Sequence, residues 1–287
     1  MRNANDLTLE SPSVDRQLVH DVQHALSLSP RQLPFRLLYD DLGSALFDAI
    51  CHLPWYPITR VEQALLALHA QAIVETADRP TRVVELGAGN GDKLATLIEH
   101  GWPSAPRLAV ELVDVSAGAL QASRQRLSAF DHVDLVTWPM SYDVALPEIS
   151  RSAAVGERTL VVFLGSNIGN FDPSEAEAFL RQVRAGLAPG DTLLIGTDLV
   201  KDPSELIEAY DDPLGVTAAF NKNLLVRLNR ELRADFEVRR FLHRATWNGQ
   251  ESRVEMHLVS DCRQTVHVRD AGLRFTLDTG DTIWTER

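Results

Sequence analysis

Three glycines at alternate positions, Gly87, Gly89 and Gly91, follow the apolar run Val83-Val84-Glu85-Leu86 and precede a helix-like segment that carries Lys93. Glycines let a backbone turn sharply and let a ligand approach it, and the amides opening the next helix then face that ligand. A turn of this kind cradles a nucleotide-like cofactor at the tip of a parallel sheet. Asp114, which ends the apolar stretch Leu108–Val113, lies about 20 residues on, where an acid reaches ribose hydroxyls. The spacing departs from the dinucleotide fingerprint G-x-G-x-x-G and favours S-adenosylmethionine over NAD. A dinucleotide and a plain packing turn stay open on these residues alone. Lys93 suits a ligand carboxylate, or else is a solvated helix lysine.

A second loop, Leu164-Gly165-Ser166-Asn167-Ile168-Gly169-Asn170-Phe171, follows the β-branched run Thr159–Phe163. Ligands in open α/β sheets bind beyond the carboxyl ends of strands, so this loop belongs beside the cofactor. Asn170 offers a donor and an acceptor for an amino or carboxylate group. Tyr39, Tyr56 and Tyr210 are three of only four tyrosines, and each stands near a break or polar stretch. On the residues alone each reads as a half-buried ring with a bonded hydroxyl. The nine histidines form no H-E-x-x-H, which argues against a metal, and no G-x-S-x-G elbow occurs.

These loops need strands and helices to hold them. Hydrophobic periodicity predicts helices near 14–28, 39–53 and 62–76. From Thr81 strands over 82–86, 108–113, 133–138, 159–165 and 192–199 alternate with helices over 92–99, 117–130 and 174–187. Ser174 and Glu177 are spaced as a capping box after Pro173. This alternation predicts a doubly wound parallel α/β sheet. After Asp202 the pattern changes. Helices over 204–210 and 215–232 precede strands over 236–246 and 252–260, with Asn248-Gly249 as a hairpin turn. Short strands over 264–268 and 273–277 continue toward Trp284. This part reads as an α+β insertion distinct from the parallel sheet.

Composition narrows the class. With 45% apolar and 24% charged residues the chain is an ordinary globular protein. No apolar run reaches membrane-spanning length, and Met1–Asp6 lacks a signal-peptide core. Cys51 and Cys262 suggest neither a disulfide framework nor zinc, which fits a reducing cytoplasm. A net charge of -12 without a Lys/Arg cluster argues against nucleic acid and anionic membranes.

Taken together, the segments resemble the histidine-specific S-adenosylmethionine-dependent methyltransferase family. The matching stretches are 39–47, 53–60 with Glu62, 85–93, 163–171 and 198–202. So are 209–217, Phe220-Asn221, Asn229–Glu231 and Glu255-Met256. The resemblance implies a Rossmann-like S-adenosylmethionine-dependent methyltransferase domain with a second α+β substrate-binding domain. The expected division is an N-terminal helical part of the substrate-binding domain over 1–61, the methyltransferase domain over 62–201, and the insertion over 202–287. It implies N-methylation of the α-amine of a free amino acid, L-histidine first, to the trimethylated hercynine of ergothioneine biosynthesis, by a monomer. Gly87, Gly89, Lys93, Asp114 and Gly165 would line the donor site. Tyr56, Asn170, Tyr210, Met256 and Glu286 would hold the amino acid, with Tyr39 and Asn170 at the reacting amine.

Three departures accompany the resemblance. The adenine-reading Asp-Phe pair is replaced by Ser141-Tyr142, which are matched by position only. The family's sequence continues past Thr-Glu into a serine that touches substrate, whereas this one ends at Thr285-Glu286-Arg287. The last strands of the sheet are expected to be missing. Another amino acid such as tryptophan, a ligand-binding member without catalysis, and an NAD-dependent oxidoreductase are the competing readings.

Overall fold

The computed structural model describes residues 15–103, 107–152 and 157–287. The N-terminal segment Met1–Asp6 and the expected helix start at Val14 lie outside them. In chain order the elements begin with α1 (Arg16–Ser27), β1 (Arg31–Gln32), α2 (Asp41–Cys51) and α3 (Ile58–Thr76). The alternating part follows: β2 (Arg82–Leu86), α4 (Asp92–Gly101), β3 (Leu108–Asp114), α5 (Ala117–Leu127), β4 (Val133–Pro139), α6 (Tyr142–Ser152), β5 (Thr159–Phe163), α7 (Pro173–Gly186) and β6 (Thr192–Ile195). The remainder comprises α8 (Pro203–Tyr210), α9 (Val216–Glu231), β7 (Phe241–Asn248), β8 (Arg253–Ser260), β9 (Gln264–Val268), β10 (Leu273–Leu277) and β11 (Thr282–Glu286).

The parallel sheet has the order β4-β3-β2-β5-β6. Its two central strands, β2 and β5, are buried at every position, as expected of strands covered on both faces. The strand order reverses between them, so a crevice opens past their carboxyl ends. The glycine loop leaves β2 and the Asn170 loop leaves β5, one on each side of that crevice. β6 has a single partner, β5, among the described residues, and its side chains are half-buried throughout.

A second sheet has the order β1-β11-β8-β7, and β9 and β10 form a separate hairpin. One apolar core joins Leu18, Val22 and Leu38 to Phe220, Leu224, Leu258 and Ile283, so distant ends of the chain are buried together. Two further cores cover the faces of the parallel sheet, around Leu94, Leu97 and Leu112 on one side and Leu86, Phe163 and Phe179 on the other. Helix α3 runs through both regions. Ile58 belongs to the first core, whereas Leu66, Ala70 and Val74 pack beside α4.

Three local expectations are corrected. The cap of α7 is Asp172 rather than Ser174: Pro173 takes the first helical turn, where its missing N–H costs nothing, and Glu175 accepts the Asp172 N–H at 2.7 Å. The β7–β8 connection is not a two-residue Asn-Gly turn. Asn248 is still paired in the ladder, opposite Arg253, and its Oδ1 accepts the Gln250 and Glu251 N–H groups at 3.2 Å each. Helix α6 was not expected, because Pro147 interrupts its pattern.

Candidate active site

The glycine loop is fixed from beneath and open above. Gly87 and Ala88 donate N–H bonds to Val113 O at 2.8 and 3.2 Å, which fastens the loop to β3. Gly87, Gly89 and Gly91 all have left-handed φ values, +80°, +52° and +80°. A Cβ at Gly91 would sit 2.9 Å from the Ser123 backbone, and one at Gly87 would sit 2.8 Å from Tyr142 Oη. At Gly89 nothing lies within 4 Å, so that face of the loop is free for a ligand. Asp114 accepts N–H bonds from Gly89 at 3.1 Å and Ser116 at 2.8 Å, and burial still raises its carboxyl above the usual range. Deeper, burial pushes the fully enclosed Glu85 carboxyl up to about 8, partly offset by the Lys93 charge. This open cradle with an acid at its edge fits the methyl donor expected there.

Lys93 already has a carboxylate. Its ammonium lies 2.6 Å from Glu62 of α3, and both Glu62 oxygens accept the Gly165 N–H at 3.0 Å. Tyr142 packs against Phe163 and Phe179, with its hydroxyl beside Gly87, and so reaches the loop. Ser141 instead opens α6, its carbonyl accepting the N–H groups of Val144 and Ala145.

Beyond the Asn170 loop lies a pocket that brings together Tyr39, Tyr56, Gly165, Asn170, Tyr210, Met256 and Glu286, all residues singled out from the sequence. Phe47, Asn167, Thr217, Phe220 and Arg287 also line it and were not singled out. Phe47 and Phe220 stood inside matched stretches, but only packing shows that they face the site. Their rings meet Tyr39 edge-on at 5.5 Å each, and Tyr56 meets Tyr210 at 5.9 Å.

Each wall residue is held by a device of its own. Tyr39 leaves the 3-10 turn Phe35–Leu38 just before Asp40, which caps α2 by accepting the Gly43 N–H at 2.8 Å. Helix α9 braces that turn through Asn223 and Arg230, each 2.7 Å from Asp40, and through Arg227, 2.9 Å from Leu37 O. Burial disfavours the ionised Asp40, but Arg230, the Gly43 N–H and Asn223 outweigh it and hold its carboxyl below the usual range. Gly43 is obligatory, since a Cβ there would lie 1.7 Å from Leu38 O. Tyr56 sits in a turn whose carbonyls at Leu53, Pro54 and Tyr56 all accept from Arg60, at 2.6, 2.9 and 3.3 Å. Tyr210 ends α8, and its carbonyl accepts from His243 Nε2 at 2.7 Å.

Glu286 reaches the pocket because of a bulge. In the β8–β11 ladder Trp284 faces His257, but Met256 faces Glu286, so Thr285 is the extra residue. Regular pairing would turn Glu286 to the His257–Trp284 face. The bulge sends it to the Met256 face instead. There Asn170 Nδ2 donates to it at 3.4 Å and the Tyr39 hydroxyl donates as well. Burial pushes the Glu286 carboxyl up to about 7 against those two bonds. Burial likewise raises the hydroxyls of Tyr39, Tyr56 and Tyr210, so all three stay protonated at neutral pH. Among the described residues no cluster of His, Cys, Asp or Glu could hold a metal ion, and no helix is long and apolar enough to cross a membrane.

A sequence model of the family described as "Histidine-specific methyltransferase, SAM-dependent" matches residues 18–287. The chain belongs to this family. It is 41% identical over 270 residues to a histidine N-alpha-methyltransferase of Mycobacterium tuberculosis, covering 94% of this chain and 83% of that one. The counterpart in Mycolicibacterium smegmatis is 40% identical over 281 residues, covering 97% and 85%. Ergothioneine biosynthesis protein 1 of Neurospora crassa is 32% identical over 200 residues, which is 70% of this chain but 23% of that protein. Family membership makes the chain an S-adenosylmethionine-dependent methyltransferase, and the oxidoreductase reading falls away with it.

Proposed function

We propose that the chain methylates the α-amine of free L-histidine to the trimethylated product, hercynine, within ergothioneine biosynthesis. The observation that carries this reading is the half-buried Glu286, aimed by the Thr285 bulge into a tyrosine-lined pocket beside Met256. A carboxylate in a tyrosine-lined pocket accepts an imidazole N–H, which a purely apolar side chain would leave unpaired. We assign residues 1–61 and 202–287 to amino-acid binding and residues 62–201 to the donor. The acting unit is a cytoplasmic monomer that binds no nucleic acid, in keeping with the net charge of -12.

S-adenosylmethionine supplies an electrophilic methyl group on a sulfonium. Gly87, Gly89, Gly165 and Tyr142 shape its cradle, Asp114 takes its ribose hydroxyls and Lys93 its carboxylate. Asn170 and Tyr210 grip the amino-acid carboxylate, and Tyr56 closes the wall. The acceptor must arrive as a neutral amine, because an ammonium has no lone pair. Tyr39 stays protonated, so its hydroxyl orients that lone pair rather than acting as a phenolate base. Holding the reacting atoms close and aligned is the main source of acceleration. The aromatic faces of Tyr39, Tyr56 and Phe47 tolerate the permanent cation of the product. Mass spectrometry of histidine incubated with the protein and S-adenosylmethionine tests the proposal. Successive additions of one, two and three methyl groups on the α-nitrogen are expected; unchanged histidine, or methyl groups on the imidazole, would refute it.

A further inference from the structure

The Glu62 carboxylate touches both Lys93 and Gly165, and the reaction as described above does not use it. It sits in the first turns of α3, almost enclosed, with 13% of its side chain exposed. One oxygen is 2.6 Å from Lys93 Nζ at the start of α4. Both oxygens accept the N–H of Gly165, the residue at which the chain leaves β5 for the acceptor loop. Gly165 and Ser166 both have left-handed φ, +80° and +58°, and Ser166 is not a glycine. A non-glycine residue in that region is held there by its surroundings at some cost. The bond from Gly165 to Glu62 is the anchor immediately before the strained residue, and Asn170 lies one 3-10 turn further on.

The fold makes room for this carboxylate. A Cβ at Gly196, just past β6, would lie 1.8 Å from Glu62 Oε1. Gly196 has no left-handed φ, so its need for glycine is spatial. Three elements, α3, α4 and the end of β6, thus converge on holding one side chain against one amide.

We propose that Glu62 is a positioning residue for the acceptor site: clamped by Lys93, it fixes the Gly165 amide and thereby the loop that presents Asn170 to the amino acid. The proposal rests on the reading of Asn170 as an amino-acid ligand. Loss of the carboxylate frees the loop but leaves the Lys93 charge in place and without its internal partner. The two ligands therefore respond differently.

Calorimetry with L-histidine and, separately, S-adenosylhomocysteine tests this on the full chain, with thermal melts as a check of folding. Glu62→Ala is expected to weaken histidine binding by about tenfold or more, the scale of a lost charged hydrogen bond. It is expected to leave S-adenosylhomocysteine binding equal or tighter. Glu62→Gln keeps an acceptor for the Gly165 N–H and is expected to recover most of the histidine affinity. Gly196→Ala, which touches neither ligand, is expected to reproduce the Glu62→Ala pattern by evicting the carboxylate. Histidine affinity within twofold of wild type in Glu62→Ala, or parallel weakening of both ligands as a merely structural role would give, overturns the proposal. Asn170→Ala run alongside separates the two layers. If that variant also binds histidine normally, the site reading is at fault; if it alone loses histidine, only the role of Glu62 is.

Discussion

In the proposed reading, the donor loop and the acceptor pocket solve the same problem, gripping a small polar molecule, with opposite use of the chain. The donor loop is mostly local: Gly87 through Lys93 are consecutive, and Asp114, Tyr142 and Gly165 join them from the neighbouring strand ends. The acceptor pocket is convergent: Tyr39, Tyr56, Asn170, Tyr210, Met256 and Glu286 come from six separate segments. A local site inherits its geometry from one strand-turn-helix unit. A convergent site inherits it from braces such as Arg60, Asn223 and Arg230, which touch backbone or caps. Damage at a distance should therefore reach the acceptor and spare the donor.

The largest test of that contrast is Asn170→Ala. It should lower turnover about a hundredfold, the scale of a misplaced reacting group, while S-adenosylhomocysteine binds within threefold of wild type by calorimetry. Asp114→Ala should do the reverse, weakening S-adenosylhomocysteine by about tenfold to a hundredfold and leaving histidine binding intact. If either variant weakened both ligands equally, the two regions would not be separable. Arg60→Ala, remote from both ligands, should raise the histidine KM about tenfold through the Tyr56 turn with the donor KM unchanged. A shift in donor KM instead would contradict convergence.

Glu286→Gln gives a smaller, pH-dependent effect. The folded carboxyl titrates at about 7, above the 4.5 of an ordinary glutamate. Between those values the unfolded chain loses its proton while the folded chain keeps it. The resulting penalty grows as pH rises from 4.5 to 7 and is fully present above 7. Relative to wild type, the variant should therefore gain stability at pH 8 over pH 4.5 in thermal melts. Its histidine kcat/KM should also lose the rise near pH 7 that ionisation of Glu286 gives the wild type. An unchanged pH profile would remove Glu286 from the imidazole contact.

The same contrast explains what the sequence made legible. The five parallel strands and the glycine loop are short-range features, readable from β-branched runs and punctuating glycines, and they start where expected, although β6 ends at Ile195 and not at Leu199. Asn170 was legible from its place in the loop past β5, but the other acceptor residues were given that role only through the family resemblance, since an isolated tyrosine carries no periodic signal. What placed Glu286 in the pocket was a one-residue bulge, which neither composition nor alternation announces. Glu62 lay within a matched stretch, yet its role depends on a clearance at Gly196, 134 residues away in sequence. Helix α6 and the Asp172 cap were misread because proline both interrupts and opens helices, and only the fold decides which.

The most direct measurement is a crystal structure of the protein with S-adenosylhomocysteine and L-histidine bound together. The account predicts the donor product over Gly89 with its ribose at Asp114. It predicts histidine between Asn170 and Tyr210, its imidazole at Glu286 and its α-nitrogen facing the sulfur. Histidine bound elsewhere, or turned so that its imidazole faces the sulfur, would contradict it.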